Sequence, residues 1–218
     1  MQDRSNFILK NTDFKTVNFL FAGVGGQGVL LASDILSEAA HIANYDVKKS
    51  DIHGMSQRGG SVISQVRFGK KVYSPIIKDR EVDFLIGFEI LETLRCLNML
   101  AKDAKIIVNN QKIYPISIYS SLPPFSKGGE GGFSDRNIYP ENGFELIKKG
   151  FKDAELIQGI MLAESAGDNK TVNLVLLGRL SNYLPFEQNV WEGVIKRSVP
   201  PSTVERNIHA FRLGKRSK

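Results

Sequence analysis

The chain has 218 residues, a net charge of +6 at pH 7 and a single cysteine, Cys96. One cysteine excludes an internal disulfide, a cysteine-ligated iron–sulfur cluster and a four-cysteine zinc site within this chain. Residues 1–16 lack the apolar core of a signal peptide, and no apolar run is long enough for a membrane span. We therefore expect a cytoplasmic protein with an N-terminal extension over residues 1–16 and a basic tail over residues 215–218.

The basic residues occur in small clusters, such as Lys48–Lys49 and Lys148–Lys149. These clusters are either solvated faces or a surface for an anionic ligand or an acidic partner protein. No aromatic residues are interleaved with them, so we do not expect nucleic-acid binding.

The first half of the chain alternates predicted strands and helices. An apolar run over residues 17–22 predicts a buried strand, and the apolar spacing of residues 29–43 predicts a helix. A second strand over residues 45–49 completes a βαβ unit. Alternating apolar residues then predict a β-hairpin formed by residues 61–68 and 71–74. The remaining elements of this half are a strand over 82–87, a helix over 89–100 and a strand over 105–109.

The second half begins with a segment of different composition. Residues 120–137 contain four glycines, four serines and two prolines, which excludes a regular element. The segment is either a mobile surface insertion or a glycine-rich ligand loop. Beyond it we predict helices over 141–150, 160–165, 171–184, 187–196 and 203–213, and a strand over 154–158. The whole pattern predicts one α/β domain over residues 17–214, with a Rossmann-like three-layer sheet, helices on both faces and a helical C-terminal part.

A glycine-rich loop, Gly23–Gly28, follows the first predicted strand and precedes the first predicted helix. Its G-x-G-x-x-G pattern suits close backbone approach and an anion at the helix N-terminus. A dinucleotide site also requires an acidic residue at the end of the second strand. Asp51 is the nearest acid, but it follows two lysines and a serine, so it fits this role poorly. Tight strand–helix packing with a ligand or partner contact is the alternative.

A second loop, His53–Gly60, places imidazole, hydroxyl, amide and guanidinium groups between glycines. Such a loop can present N–H groups and Arg58 to a phosphate or carboxylate, and it is expected beside the first loop at the carboxyl ends of the strands. A tight structural turn is the alternative. Farther on, Asn173 begins an apolar helical stretch and marks either a helix-end contact or a close packing site. Cys96 lies in a helical pattern, which favours a buried structural thiol.

Together these motifs resemble the gamma-type domain of 2-oxoacid:ferredoxin oxidoreductases, and most closely the members that act on indolepyruvate. The resemblance covers residues 17–214 apart from 120–137, which departs from the family pattern. It is carried in family order by Ala22–Gly28, His53–Gly60, Arg67–Gly69, Val72–Pro75, Asn173 with Leu177–Gly178, and Asn207 with Ala210–Phe211 and Gly214.

The resemblance implies a subunit of an enzyme that oxidatively decarboxylates an aryl 2-oxoacid with coenzyme A. The products would be an acyl-CoA, carbon dioxide and reduced ferredoxin. Thiamine diphosphate, Mg²⁺, iron–sulfur clusters and the catalytic residues would lie in a large partner subunit. This chain would then bind no cofactor of its own, would not be active alone, and would have no contact with membranes.

Our hypothesis for this chain is that both glycine-rich loops face the large subunit and help shape the channel for substrate or coenzyme A. The expected contact residues are Gly23, Gly25, Gly26, Gln27, Gly28, His53, Gly54, Ser56, Gln57, Arg58, Gly59, Gly60 and Asn173, with no metal ligand among them. Two other interpretations stay open from the residues alone: a stand-alone Rossmann-type nucleotide-binding protein, and a non-catalytic binding module with a basic surface.

Overall fold

The computed structural model describes residues 16–53, 60–113 and 139–217. Within these ranges six strands form one sheet. They are β1 (Val17–Val24), β2 (Asp46–His53), β3 (Ser61–Gly69), β4 (Val82–Gly87), β5 (Leu100–Asn109) and β6 (Glu155–Ile157). Their order is β2-β3-β1-β4-β5-β6. Strands β1, β4, β5 and β6 are parallel, whereas β3 is antiparallel to both of its neighbours, β1 and β2.

Helices cover both faces of this sheet, as the sequence predicted. The α-helices of the described ranges are α1 (Val29–Ile42), α2 (Ile90–Arg95), α3 (Gly143–Gly150), α4 (Gly159–Ser165), α5 (Val172–Leu180), α6 (Gln188–Ser198) and α7 (Val204–Arg216). Strand β1 alternates between the two cores. Phe19 and Phe21 pack with α1 and α4–α7 on one face, and Leu20 and Ala22 pack with α2 and α3 on the other. The Rossmann-like three-layer fold class is confirmed.

The hairpin differs from the prediction. Strand β3 pairs with β2, from Asp46 opposite Gly69 to His53 opposite Val62, and residues 71–74 form no strand. The physical reason is that β1 and β2 already occupy both edges of β3, so no edge is left for residues 71–74. Residues 50–53, which lie beyond the predicted second strand, belong to β2. The second glycine-rich loop is therefore the connection within this hairpin.

Several helix boundaries also differ from the sequence pattern. The helix predicted over 171–184 ends at Leu180, and a 3₁₀ turn over Ser181–Tyr183 follows it. The helix predicted over 89–100 ends at Arg95, a short 3₁₀ turn over Leu97–Met99 follows, and β5 begins at Leu100. Helix α7 continues to Arg216, so the predicted basic tail starts as part of a helix. The 120–137 segment and the N-terminal extension up to residue 15 lie outside the described residues. No helix in the described ranges has the length and apolar character needed to cross a bilayer.

Helices α5 and α7 pack with their backbones in direct contact. A Cβ atom on Gly178 would lie 2.0 Å from the Phe211 carbonyl oxygen, and one on Gly214 would lie 1.9 Å from the Val175 carbonyl oxygen. Only glycine fits at such a crossing, since no side chain can move aside to relieve contact with a backbone atom.

An ion cluster surrounds Glu155 at the start of β6. Its carboxylate accepts hydrogen bonds from the Arg179 guanidinium at 2.5 and 3.0 Å and from the Tyr183 hydroxyl, and Lys105 Nζ lies 2.7 Å away. Burial by itself raises the pKa of Glu155, but the Arg179, Lys105 and Tyr183 hydrogen bonds outweigh it and lower the pKa to about 2. The cluster joins β5, β6 and α5 at the end of the sheet opposite the glycine loop.

Candidate functional site at the carboxyl edge of the sheet

The glycine loop, Gly23–Gly28, lies at the carboxyl edge of the parallel strands. Gly26 and Gly28 have φ values of +100° and +76°, which L-residues with a side chain rarely adopt. Gly28 is also the N-cap of α1. A Cβ on Gly26 would meet no atom within 4 Å, and Gly26 is exposed. The loop backbone is therefore open to a ligand or a partner at Gly26.

Asn173 closes the other side of this loop. Its buried side chain donates a long hydrogen bond, 3.4 Å, from Nδ2 to the Gly28 carbonyl oxygen. A Cβ on Gly28 would lie 2.5 Å from the same nitrogen. The structure thus brings two of the predicted site elements together, and Asn173 supports the loop from beneath.

The Gln27 side chain turns inward. Its Oε1 accepts a hydrogen bond from the Val24 backbone at 2.7 Å, and its Nε2 donates to the Phe88 carbonyl at 3.1 Å and to Gln111 Oε1 at 3.0 Å. The amide is therefore occupied by the protein itself. Gln27 fixes the shape of the loop and ties it to the ends of β4 and β5.

Two residues that the sequence analysis did not single out complete this arrangement. Asn109 is fully buried, and its Nδ2 donates to the Phe88 carbonyl at 3.2 Å and to Gln111 Oε1 at 3.0 Å. Gln27, Asn109, Gln111 and the Phe88 carbonyl thus form a closed set of four hydrogen bonds, which we call the amide ring. Asn109 Oδ1 also accepts from the Gly159 backbone at 3.1 Å, so the start of α4 is joined to it. Asn109 and Gln111 lie at the carboxyl end of a buried strand, and this position was the signal in the sequence that could have identified them.

The second loop meets the first at Gly60. The Gly25 backbone N–H donates to the Gly60 carbonyl at 2.9 Å, and the His53 backbone ends β2 opposite Val62. The residues between them, Gly54–Gly59, lie outside the described residues. The positions of Ser56, Gln57 and Arg58 therefore stay a prediction.

Two buried carboxylates, Glu89 and Glu92, follow Phe88 of the amide ring in the sequence. Glu89 accepts hydrogen bonds from the Tyr139 hydroxyl, from the Ile113 backbone at 3.1 Å and from the Glu92 backbone at 2.9 Å. The Glu92 carboxylate accepts from Ser61 Oγ and from the Arg95 guanidinium, both at 2.6 Å. All four carboxylate oxygens have partners, so these side chains fasten α2 to β3 and to the chain on both sides of residues 114–138.

The position of Asp51 argues against the dinucleotide interpretation. In a dinucleotide-binding fold the acidic residue ends a strand that neighbours the first strand. Here β3 lies between β1 and β2, which separates Asp51 from the glycine-loop strand by about 10 Å, two strand spacings. The Asp51 carboxylate is also engaged by Lys49 at 2.8 Å and by Ser64 Oγ at 2.5 Å.

The residues of this chain do not fit an iron–sulfur cluster. Cys96 is the only cysteine, its side chain is buried, and burial together with the Glu92 carboxylate raises its pKa to about 11. In the described ranges no three His, Cys, Asp or Glu side chains are grouped so as to hold a metal ion.

Comparison with known proteins identifies the same family that the sequence motifs resemble. The family model of pyruvate ferredoxin/flavodoxin oxidoreductase matches residues 18–217. Indolepyruvate oxidoreductase subunit IorB of Thermococcus kodakarensis is 37% identical over 208 residues, which cover 92% of this chain and 95% of that protein.

Two solved structures share the fold. Pyruvate oxidoreductase subunit PORC of Thermotoga maritima has a TM-score of 0.64 at 19% identity, over 92% of this chain and 95% of that one. The 2-oxoglutarate:ferredoxin oxidoreductase of Magnetococcus marinus, solved with 2-oxoglutarate, coenzyme A and succinyl-CoA, has a TM-score of 0.66 at 20% identity. The match covers 92% of this chain but 30% of that one. With its sequence matched over nearly the whole length and the resemblance confirmed, the chain belongs to the pyruvate ferredoxin/flavodoxin oxidoreductase family.

Proposed function

We propose that this chain is the small subunit of a coenzyme A-dependent 2-oxoacid:ferredoxin oxidoreductase whose substrate is an aryl 2-oxoacid such as indolepyruvate. The observation that carries the substrate class is the 37% identity to an indolepyruvate oxidoreductase subunit over 95% of that subunit's length. In the reaction the 2-oxoacid loses carbon dioxide, its acyl group becomes the thioester of coenzyme A, and two electrons pass singly to ferredoxin.

In this proposal the chain is one subunit of the enzyme and folds as a single domain over residues 17–214. The complex is cytoplasmic. The iron–sulfur clusters belong to a large partner subunit, because one buried cysteine cannot ligate a cluster. Thiamine diphosphate and Mg²⁺ are assigned to the same subunit. In the Magnetococcus structure the same fold matches less than a third of a longer chain, so that chain has further parts that this one lacks. The catalytic residues are assigned to the partner.

The carboxyl edge of the sheet is the part of this chain assigned to substrate, coenzyme A or partner contact. Gly26 is exposed with open space around it, and the N-terminus of α1 behind it favours an anion. His53, Gln57 and Arg58 of the second loop would add polar and cationic contacts to a carboxylate or phosphate. The Gly25–Gly60 hydrogen bond supports placing the two loops side by side.

The first test is anaerobic affinity purification of the chain from its native extract. We expect a large, brown subunit in fixed ratio, and a complex that reduces ferredoxin only when indolepyruvate and coenzyme A are both present. A colourless chain that purifies alone would overturn the proposal. Binding of a nicotinamide cofactor to that isolated chain would support the stand-alone nucleotide-binding alternative.

The second test addresses the role of the loops. In the intact complex, Arg58→Ala should raise the KM for coenzyme A or for the 2-oxoacid, because a cationic contact to an oxyanion is lost. Arg216→Ala, at the exposed end of α7, is the matched control and should leave both KM values unchanged. Equal kinetics for the two variants would reject the role assigned to Arg58.

A further inference from the structure

The polarity of the amide ring is fixed by backbone groups at its two sides. Gln27 Oε1 accepts from the Val24 N–H, so the nitrogen of Gln27 is the end that faces Gln111. Asn109 Oδ1 accepts from the Gly159 N–H, so the nitrogen of Asn109 also faces Gln111. An amide nitrogen cannot accept a hydrogen bond. The Gln111 atom that receives both donors must therefore be Oε1.

Because Oε1 receives both donors, the other atom of the Gln111 amide group is the nitrogen, Nε2. Both side-chain hydrogen bonds of Gln111 end on Oε1, and Nε2 meets no acceptor among the described residues. Gln111 is half-buried, and its Nε2 is not among the fully buried side-chain atoms of the described residues that lack a partner. Within the described ranges, Gln111 thus offers a free N–H₂ group on a side chain whose Oε1 is hydrogen-bonded to Gln27 of the glycine loop.

This donor is rigidly oriented. The Gln111 side chain is held at Oε1 by two donors at 3.0 Å. Its backbone N–H donates to the Asn109 carbonyl at 2.7 Å, and its carbonyl accepts from the Ile90 N–H at 3.1 Å. A side chain that is already immobilised loses little further entropy when it binds a ligand, which is the condition for an effective hydrogen-bond donor.

We propose that Gln111 is a ligand-binding residue that donates from Nε2 to an oxyanion, a carboxylate or phosphate oxygen, of the small molecule that enters beside the glycine loop. The inference rests on the proposed function for the identity of that molecule. A neutral N–H donor and the N-terminus of α1 both favour an oxyanion at this edge. The Glu89 carboxylate, held by the Tyr139 hydroxyl and by two backbone N–H groups, opposes it, so the N–H donors must outweigh that repulsion. The oxyanion is either the carboxylate of the 2-oxoacid or a phosphate of coenzyme A, and the experiment distinguishes them.

The variant Gln111→Glu isolates the donor. A carboxylate at this position still accepts from Gln27 and Asn109, so the amide ring is kept, but it replaces the free N–H₂ group by a negatively charged oxygen. In the complex with its large subunit we expect the KM for one of the two molecules to rise roughly tenfold or more, with kcat changed less than about twofold. Calorimetric titration of the complex with coenzyme A alone gives a readout independent of turnover.

Gln158→Glu is the matched control. Gln158 is exposed beyond the end of β6, at the same edge, and pairs with Asn110 at 3.1 Å. It introduces the same charge without touching the amide ring, so we expect less than a twofold change in either KM. A rise confined to the coenzyme A KM, with weaker binding in the titration, assigns the oxyanion to phosphate. A rise confined to the 2-oxoacid KM assigns it to the carboxylate.

Four results would overturn the inference: unchanged KM values in Gln111→Glu, equal effects of the two variants, weaker association with the large subunit, or a Gln111→Glu chain that does not fold. Weaker association would show that Nε2 serves the partner interface instead of a ligand, and failure to fold would show that Gln111 acts through the structure of the amide ring. These results are separable from failure of the proposed function, which would appear as a wild-type chain without a partner or without turnover.

Discussion

Replacing Glu155 by Gln tests how much the ion cluster of β5, β6 and α5 contributes to stability. The Glu155 side chain is 18% exposed, and its pKa is lowered from 4.5 to about 2 by its hydrogen-bond partners. A pKa lowered by this amount in the folded state corresponds to about 3 kcal/mol of folding free energy at pH 7. Glu155→Gln also leaves Arg179 and Lys105 without their carboxylate, so we expect a loss of about that size.

The pH dependence has a defined sign. Because the folded state lowers the pKa of Glu155, its contribution is fully present above pH 4.5 and is lost as the pH falls toward 2. The difference in unfolding free energy between wild type and Glu155→Gln should therefore be about 3 kcal/mol at pH 7 and should shrink steadily below pH 4.5.

Urea unfolding of the full chain, followed by circular dichroism between pH 7 and 3, measures both quantities. Glu164→Gln, an exposed glutamate in α4, is the control and should change the free energy of unfolding by no more than about 0.5 kcal/mol. A difference below about 1 kcal/mol at pH 7, or one that does not shrink on acidification, would refute the reasoning.

Further predictions concern glycines and the cysteine. Gly178→Ala places a methyl group against the α7 backbone and should lower the unfolding free energy by about 3 kcal/mol or more. Gly193→Ala in α6 is the control, because a methyl group there has room, and it should be neutral or stabilising by up to about 1 kcal/mol. Equal urea midpoints for the two variants would contradict this prediction. Gly28→Ala puts a side chain at a positive φ and in contact with Asn173, so it should lower the melting temperature of the chain. In the complex it should also raise the KM for coenzyme A or for the 2-oxoacid. A wild-type melting curve would show that the loop tolerates the change. Cys96, with a pKa near 11, should react with a thiol reagent at pH 8 roughly a hundredfold more slowly in the folded chain than after unfolding in urea; similar rates in both states would disprove its burial.

The core strands were predictable because apolar runs report burial directly. Strand β4 coincides with its predicted range, and β1 differs from its prediction only at the carboxyl end. The partner of β3 was not predictable from the pattern. Alternation along Ser61–Gly69 reports which face is buried, but it does not report which neighbour offers a free edge.

The candidate site was predictable in its backbone and not in its side chains. The glycines of Gly23–Gly28 predict the turn, because the required φ values suit few other residues. The amide ring joins Gln27 to Gln111 across 84 positions of sequence. Glutamines and asparagines occur throughout any chain, and only the fold shows which of them meet.

The Glu89 carboxylate receives the Ile113 N–H and the Tyr139 hydroxyl, so one buried side chain fastens the polypeptide on both sides of residues 114–138. The arrangement of the sheet and its helices therefore does not depend on how many residues lie between Ile113 and Tyr139. Each doubling of such a connection costs only about 0.6 kcal/mol of closure entropy. We therefore expect an affinity tag or reporter domain inserted between Ile113 and Tyr139 to leave the carboxyl edge intact.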